Sequence, residues 1–270
     1  PQYTQFCYTF QYMPGATTYL DTPVLQLAAF AGSGYQLDCE AADTTPMIAS
    51  VTGPNGLVGP YIADQSVAAE ANRTLTITSV GSRQVLNPSS NEFTAKFVTR
   101  DYGFGGISSD SATWGNVILT GEDGIPRAAQ PSSWSDSVIT AVVPQNIPDG
   151  RYQLTVQHAN QNVSPMAVSA IVGPLRFNNN VVRTVTPSSI PGATPIQDAI
   201  DIARRGDLIL VAPGVYDEQV IMWKPVYLQG AGAFSTTINA RAVPAEKVQL
   251  WKNKVGSLVN VDFDLLDGQE

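Results

Sequence analysis

The chain has 270 residues, and its 23 acidic and 15 basic side chains give a formal charge of −8. No basic patch exists to neutralise phosphates or adsorb on anionic lipid, which sets nucleic acid and membrane surfaces aside as partners, and no apolar run reaches the length of a membrane span. Charged residues are only 14% against 43% hydrophobic, with 22 Gly and 19 Pro, a balance that points to a mainly β, extracellular protein of two or three domains with many short strands and turns.

Residues 1–73 read as an irregular or β-rich N-terminal segment. Gln11-Tyr12-Met13-Pro14-Gly15 and Asp21-Thr22-Pro23-Val24 look like loops, Pro46–Val51 like a strand, and the stretch to Gly59-Pro60-Tyr61 like a turn region. The segment either packs along the next domain or forms a small β-domain of its own. Cys7 and Cys39 both fall here. An even pair in a low-charge β-rich chain predicts a disulfide formed in an oxidising compartment, and closing that loop stabilises by about 3–4 kcal/mol on the chain-entropy view. Two free thiols are the alternative, and a thiol assay separates the two. Starting at Pro1-Gln2 without Met or leader, the chain reads as processed or trimmed.

Residues 74–173 read as a β-sandwich. Leu75 and Ile77 alternate with Thr76 and Thr78, and Phe93, Ala95, Phe97 and Thr99 alternate with polar neighbours at the strand period of two. Apolar runs at Val117-Ile118-Leu119, Trp134 to Val143 and Tyr152 to Val156 follow, with turn signals between them. The order Gly103-Phe104-Gly105, then WSDSVITAVVP from Trp134, then IPDGRYQLTVQHANQNVS from Ile147 resembles the IPT/TIG immunoglobulin-like family. The resemblance implies a spacer or interaction module, with Trp134 as core anchor and Pro144 and Gly150 shaping the turns before the last two strands. The loop from Gly105 to Gly115 is longer and more polar than that family's pattern.

Residues 174–193 read as a linker. From Thr194 the pattern changes. Thr194 suits an N-cap, Pro195 the first helical position, and Gln197 completes a capping box. Ile196, Ala199, Ile200 and Ala203 make one apolar face. Arg204 and Arg205 suit the negative helix end, and Gly206 the residue after it. Leu208–Val211 is a continuous apolar run, fit for a strand buried on both faces or under a cap. Val215-Tyr216, Val220-Ile221-Met222, Val226-Tyr227-Leu228 and Thr236–Asn239 read as further strands, separated by Pro213-Gly214, Lys224-Pro225 and Gly230-Ala231-Gly232. Equivalent strands recur every 18–25 residues or so, a solenoid spacing. An α/β domain built on a βα unit is the alternative. The string IQDAIDIARRGDLILVAPGVYDEQVIMWKPVYLQGAG, from Ile196 to Gly232, resembles the N-terminal cap and first turns of the right-handed parallel β-helix family that includes pectate lyases. That resemblance implies a fold and no activity: the family's calcium-binding carboxylates and basic residue lie on later turns, and no position here matches them. Residues 194–270 are therefore expected to hold an incomplete solenoid, whose edge pairs with a downstream part of the polypeptide or a second protein chain.

Little in the chain reads as chemistry. His158 is the sole histidine and has no nucleophile motif beside it. Two Cys with one His cannot build a zinc or copper site, and no cofactor is predicted. Asp38, Glu40 and Asp43 cluster early, and Asp262, Asp264 and Asp267 late. The last three are calcium candidates by residue type, although neither run fits an EF-hand loop or a nonapeptide repeat, and solvated strand faces explain both. Gly230-Ala231-Gly232-Ala233 closes a strand without opening a helix, so it is no phosphate loop. Trp223, Tyr227 and Trp251 can stack on sugar rings of a polysaccharide, or pack against the cap and the preceding domain. Sequons stand at Asn72-Arg73-Thr74 and Asn162-Val163-Ser164.

The expected function is thus a non-catalytic structural or interaction fragment of a large secreted or cell-surface protein, a spacer sandwich followed by a solenoid stalk. The alternative is the N-terminal portion of a secreted enzyme whose active site lies downstream. That enzyme would be a carbohydrate-active β-helix protein or, because PGATTYLDTP, the IPT-like stretch and MWKPVYLQG occur in the same order, one similar to very large secreted bacterial proteins with multicopper-oxidase domains.

Overall fold

The computed structural model describes residues 38, 40–90, 94–106, 114–158, 162–165, 167–173, 181–190, 192–240 and 245–261. Cys7, Cys39, Asp262, Asp264 and Asp267 lie outside the described residues. The fold is mainly β, and the chain divides into two units, one of Pro1–Ala42 with Arg83–Arg100, the other of Asp43–Ser82 with Asp101–Glu270.

Fifteen strands are described, eleven of them before the first helix: β1 (Ile48–Thr52), β2 (Tyr61–Ile62), β3 (Thr74–Ser79), β4 (Gly81–Leu86), β5 (Phe97–Tyr102), β6 (Asn116–Gly121), β7 (Pro126–Trp134), β8 (Val138–Val142), β9 (Gly150–Gln157), β10 (Val168–Val172) and β11 (Val182–Val185). Helix α1 (Pro195–Ile202), β12 (Leu208–Val211), β13 (Gly214–Tyr216), β14 (Tyr227–Gly230), β15 (Thr236–Ile238) and helix α2 (Ala245–Val261) complete the order.

In the first unit Arg100 organises the described backbone. Its guanidinium grips both oxygens of Asp38 at 3.0 and 2.6 Å and donates to the Ala41 carbonyl at 2.7 Å. The Arg100 hydrogen bonds hold the Asp38 carboxyl below its ordinary pKa against the opposing pull of burial. β4 and β5 pair as a two-stranded sheet. Phe93 lies outside the described residues; in the described part of the run the inward parity is the polar one, with Phe97 50% exposed and Arg100 and Tyr102 buried. A ribbon of two strands has no second layer to cover both faces, and the parity with the arginine clamp is the one that is packed.

The second unit contains an eight-stranded sheet, in the order β1-β3-β8-β7-β6-β9-β10-β2. It turns into two layers at β7. The first half of that strand pairs with β6 (Val117 opposite Ala129) and the second half with β8 (Trp134 opposite Ile139), with a register break between Pro131 and Ser133. The change of partner falls between Ala129 and Gln130, and Pro131, which cannot donate to a ladder, stands at the register break just after it. One shared core fills the space between the layers: Leu75, Ile77 and Ile139 from one, Val117, Leu119, Leu154 and Val156 from the other. Trp134 is 1% exposed, meets Phe104 edge-to-face at 6.4 Å between ring centroids, and donates its indole N–H to the Gly105 carbonyl at 2.8 Å. The core-anchor role expected of Trp134 is met. β1 and β2 come from before residue 74, so the sheet draws on the segment set apart as N-terminal in the sequence.

After the sandwich the ladders become parallel. β11, β12 and β14 form one sheet and β13 with β15 another. Val182 stands beside Leu208 and Leu208 beside Tyr227, steps of 26 and 19 residues; Gly214 stands beside Thr236, a step of 22. The stacked parallel ladders agree with the β-helix-like reading. Three details differ from expectation. β11 lies inside the stretch read as a linker, because its pairing with β12 has no local signature. Val220–Met222 is not a strand: the amide of Ile221 donates to the Gln197 side chain at 2.8 Å and its carbonyl accepts from that side chain at 3.4 Å, so its hydrogen bonds go to α1 and not to a ladder. A second helix, α2, occupies residues expected to hold further turns. Among the described residues, no helix is long and apolar enough to cross a membrane.

The apolar face predicted for α1 is real: Ile196 and Ile200 are 0% exposed, and Ala199 and Ala203 are buried. The capping box is not formed. Thr194 makes no side-chain cap bond, and the buried Glu218 carboxylate takes the role, accepting from the amides of Ile196 and Gln197 at 3.0 Å each. At the other end Lys224 donates to the carbonyls of Asp201 and Ala203 at 2.8 and 2.9 Å. The segment after β13 thus closes both ends of the helix that precedes it. Anion at the N-terminus and cation at the C-terminus are the signs the helix dipole favours.

β12 explains its own unbroken apolar run. Ile209 and Val211 join Ile196 and Ile200 under the helix, while Leu208 and Leu210 join Tyr61 and Ile171 of the sandwich. On the sandwich side the strands alternate to match. Ile62, Ala170 and Val172 point into the sandwich core, leaving Tyr61 and Ile171 on the outer face for β12 to cover. The amide of Val51 in β1 also donates to the Ala231 carbonyl at 2.8 Å. Gly232 must be glycine for this approach, since a Cβ there would lie 2.3 Å from the Ala49 carbonyl oxygen.

Candidate functional site

Three turns of the sandwich and one strand of the parallel stack converge on a groove of about 370 Å³. The β6–β7 turn brings Glu122 and Asp123, the turn before β9 brings Asp149 to Tyr152, the end of β10 brings Gly173, and the start of β14 brings Tyr227. Each turn has a local reason. Asp123 accepts the Ile125 amide at 3.0 Å, a side-chain-to-backbone turn. Gly150 has φ 152°, a backbone setting closed to residues with a Cβ, and it starts β9 immediately after Asp149.

The charges divide into satisfied and available groups. Asp123 and Arg127 form a bidentate pair at 3.1 and 2.6 Å. The Arg127 hydrogen bonds lower the Asp123 pKa to about 2, and the same guanidinium lies 5.5 Å over the Tyr152 ring. Burial pushes the Tyr152 phenol up, so it stays protonated and donates back to the Pro148 carbonyl at 2.6 Å. These three residues are spoken for. Asp149 accepts on one oxygen from Gln65 at 2.6 Å. Its other oxygen has no partner among the described residues. Arg151 and Glu122 are 63% and 73% exposed and touch only at 3.3 Å. Tyr227 is half-buried against the Leu208 cluster, and its hydroxyl has no hydrogen-bond partner among the described residues. The groove therefore presents a phenol, a carboxylate oxygen and a loosely held guanidinium–carboxylate pair to solvent.

The residues singled out as sugar-stacking aromatics do not form one group. Tyr227 lines this groove. Trp223 belongs to the cap: its indole N–H donates to Asp201 at 2.8 Å, and the ammonium groups of Lys224 and Lys254 lie 4.0 and 5.2 Å from its ring centroid. Trp251 is 39% exposed on α2. Of the early acidic cluster, Asp38 is held by Arg100 and accepts the Glu40 amide at 3.3 Å, and Asp43 accepts the Asp101 amide at 2.7 Å. No group of three or more His, Cys, Asp or Glu that could hold a metal ion occurs among the described residues. Sequence reasoning passed over Glu122, Asp149 and Arg151. Their signal is Asp-Gly turn chemistry at strand ends, in Glu122-Asp123-Gly124 and Pro148-Asp149-Gly150, which marks turns without saying that they meet.

No protein-family profile matches the chain, and no curated protein matches it in sequence. Among solved structures it is similar to the family 28 exopolygalacturonase of Yersinia enterocolitica, at 13% identity and a TM-score of 0.19, over 64% of this chain and 28% of that one. The chain thus spans under a third of that enzyme's length.

Proposed function

We propose that this chain is a structural and interaction module of a larger secreted or cell-surface protein, in which an IPT/TIG-type sandwich fixes the foot of a parallel β-stack. The observation that carries this reading is the two-sided burial of β12. Leu208 and Leu210 are 0% exposed against the sandwich, and Ile209 and Val211 are covered by α1. A strand held on both faces cannot swing, so the stack leaves the sandwich in one fixed direction. The immunoglobulin-like assignment is supported by the Trp134–Phe104 pair and by the Tyr152 hydroxyl bonded four residues back to Pro148, a corner typical of such sandwiches. The low charge content and the Cys7, Cys39 pair support an extracellular setting.

The reading is tested by loosening the joint. Gly232→Ala places a Cβ against backbone, and Leu210→Asn puts an amide in the apolar junction. Small-angle scattering should give one rigid envelope for the parent chain and a broader, extended distribution for both variants, with protease cleavage appearing between residues 173 and 208. Unchanged scattering and unchanged proteolysis in both variants would remove the fixed-joint role.

A further inference from the structure

We propose that the apolar groove beside β2 is a binding site for a small, uncharged and largely apolar molecule with one oxygen acceptor, held by a hydrogen bond from Tyr61. The inference goes beyond the spacer role, since a fixed joint needs no ligand, and the two are tested by different measurements.

Tyr61 carries it. β2 is an edge strand of the eight-stranded sheet, paired on one side only, with β10. Tyr61, its first residue, is 6% exposed and packs against Ile171, Leu208 and Leu210, so its ring is held in one setting by close packing. The hydroxyl at the tip of that ring has no hydrogen-bond partner among the described residues. Burial pushes the phenol pKa up, so the group keeps its proton and stays a donor. A donor withdrawn from water and left unpaired costs free energy until an acceptor meets it. What remains uncovered of Tyr61 lines a groove of about 640 Å³, inside the span of about 300–1,000 Å³ usual for small-molecule sites.

The rest of the lining selects the ligand. Leu57, Val58 and Val67 supply apolar walls, and Asn72 and Thr184 an exposed polar part. Asp64 is the sole charged residue among the described lining, and its carboxylate already accepts from the amide and hydroxyl of Ser66 at 2.8 and 2.5 Å. Among the described residues no lysine or arginine lines the groove, so an anion meets Asp64 without a counter-charge. An ammonium group would leave water for apolar walls and a carboxylate that is already hydrogen-bonded. A neutral molecule with an acceptor oxygen satisfies Tyr61 and leaves no charge unpaired.

The test uses the whole chain with four probes of similar shape: acetophenone, ethylbenzene, benzoate and benzylamine. Binding is followed by titration calorimetry and by amide shifts at Leu57, Ile62 and Ala63. Acetophenone is expected to bind with shifts centred on those residues. Ethylbenzene should bind about tenfold more weakly, because it offers no acceptor, and the two ions should not bind at about 1 mM. Tyr61→Phe deletes the hydroxyl alone. It should bring acetophenone down to the affinity of ethylbenzene, leave ethylbenzene unchanged, and keep the melting temperature at or above the parent's, since an unpaired polar atom is removed. Val67→Trp fills the groove and should abolish binding of both neutral probes. The proposal is overturned if acetophenone does not bind at about 1 mM, if it binds no better than ethylbenzene, if either ion binds best, or if Tyr61→Phe leaves the preference for acetophenone intact. The comparison of probes on the parent chain needs no variant, so a folding defect in either variant does not obscure the outcome.

Discussion

Asp207 shows how much one side chain does in this fold. It is 0% exposed, accepts from the amides of Val181 and Arg204 at 3.0 and 2.9 Å, and faces the Arg183 guanidinium at 3.4 Å. Burial alone raises its pKa, but those two amides and the guanidinium outweigh it, and the net shift is downward. A carboxyl with a lowered pKa in the folded state contributes stability above the unfolded value near 4, and that contribution disappears as pH falls through its own lower pKa. Asp207→Asn should therefore cost about 2–3 kcal/mol at neutral pH, measured by urea unfolding. The gap between variant and parent should narrow steadily below about pH 4. Trp134 is the comparable residue of the sandwich. Its removal in Trp134→Ala leaves a cavity beside Phe104 and unpairs the Gly105 carbonyl, and should cost about 3–5 kcal/mol in the same assay.

Helix α1 is too short to stand alone, having eight residues. Its stability comes from its apolar underside and from two side chains donated by the segment after β13. Glu218 reaches its N-terminus and Lys224 its C-terminus, and Asp201 in its last turn ties Gln197, Trp223 and Lys254 together at 2.8–2.9 Å. Glu218→Ala should cost about 2 kcal/mol, the upper range for loss of an N-terminal cap, because two buried amides are orphaned together. Hydrogen exchange should speed up first at Ile196 and Gln197. Thr194→Ala should cost less than about 0.5 kcal/mol, since Thr194 makes no cap bond. The reverse ranking of these two variants would show that the local capping box, and not Glu218, holds the helix.

On the scale of the second unit, the sandwich and the parallel stack share the Leu208, Leu210, Tyr61 and Ile171 cluster. A joint of that kind couples their unfolding. A variant retaining only Trp134 and another retaining only Trp223 should melt at the same temperature when followed by fluorescence. Leu210→Asn should split the two transitions, with the Trp223 signal lost first. Two separate transitions in the parent would mean that the shared cluster is too weak to unite the layers.

The periodic elements were legible in the chain alone. Leu75 and Ile77 announced a half-buried strand, Ile196 to Ala203 an apolar helix face, and Leu208–Val211 a strand covered on both sides, because each pattern is a local consequence of backbone geometry meeting burial. Tyr227 was legible as a candidate contact, but its companions Glu122, Asp149 and Arg151 were not. They stand up to about 105 residues apart and meet only because β6 and β10 end, and β9 and β14 begin, at one place. The same holds for Glu218 replacing the capping box, for β7 passing from one layer to the other, and for the parity of β5. In each case a distant partner offered the better hydrogen bond or the only covered face, and sequence neighbours carry no record of that competition.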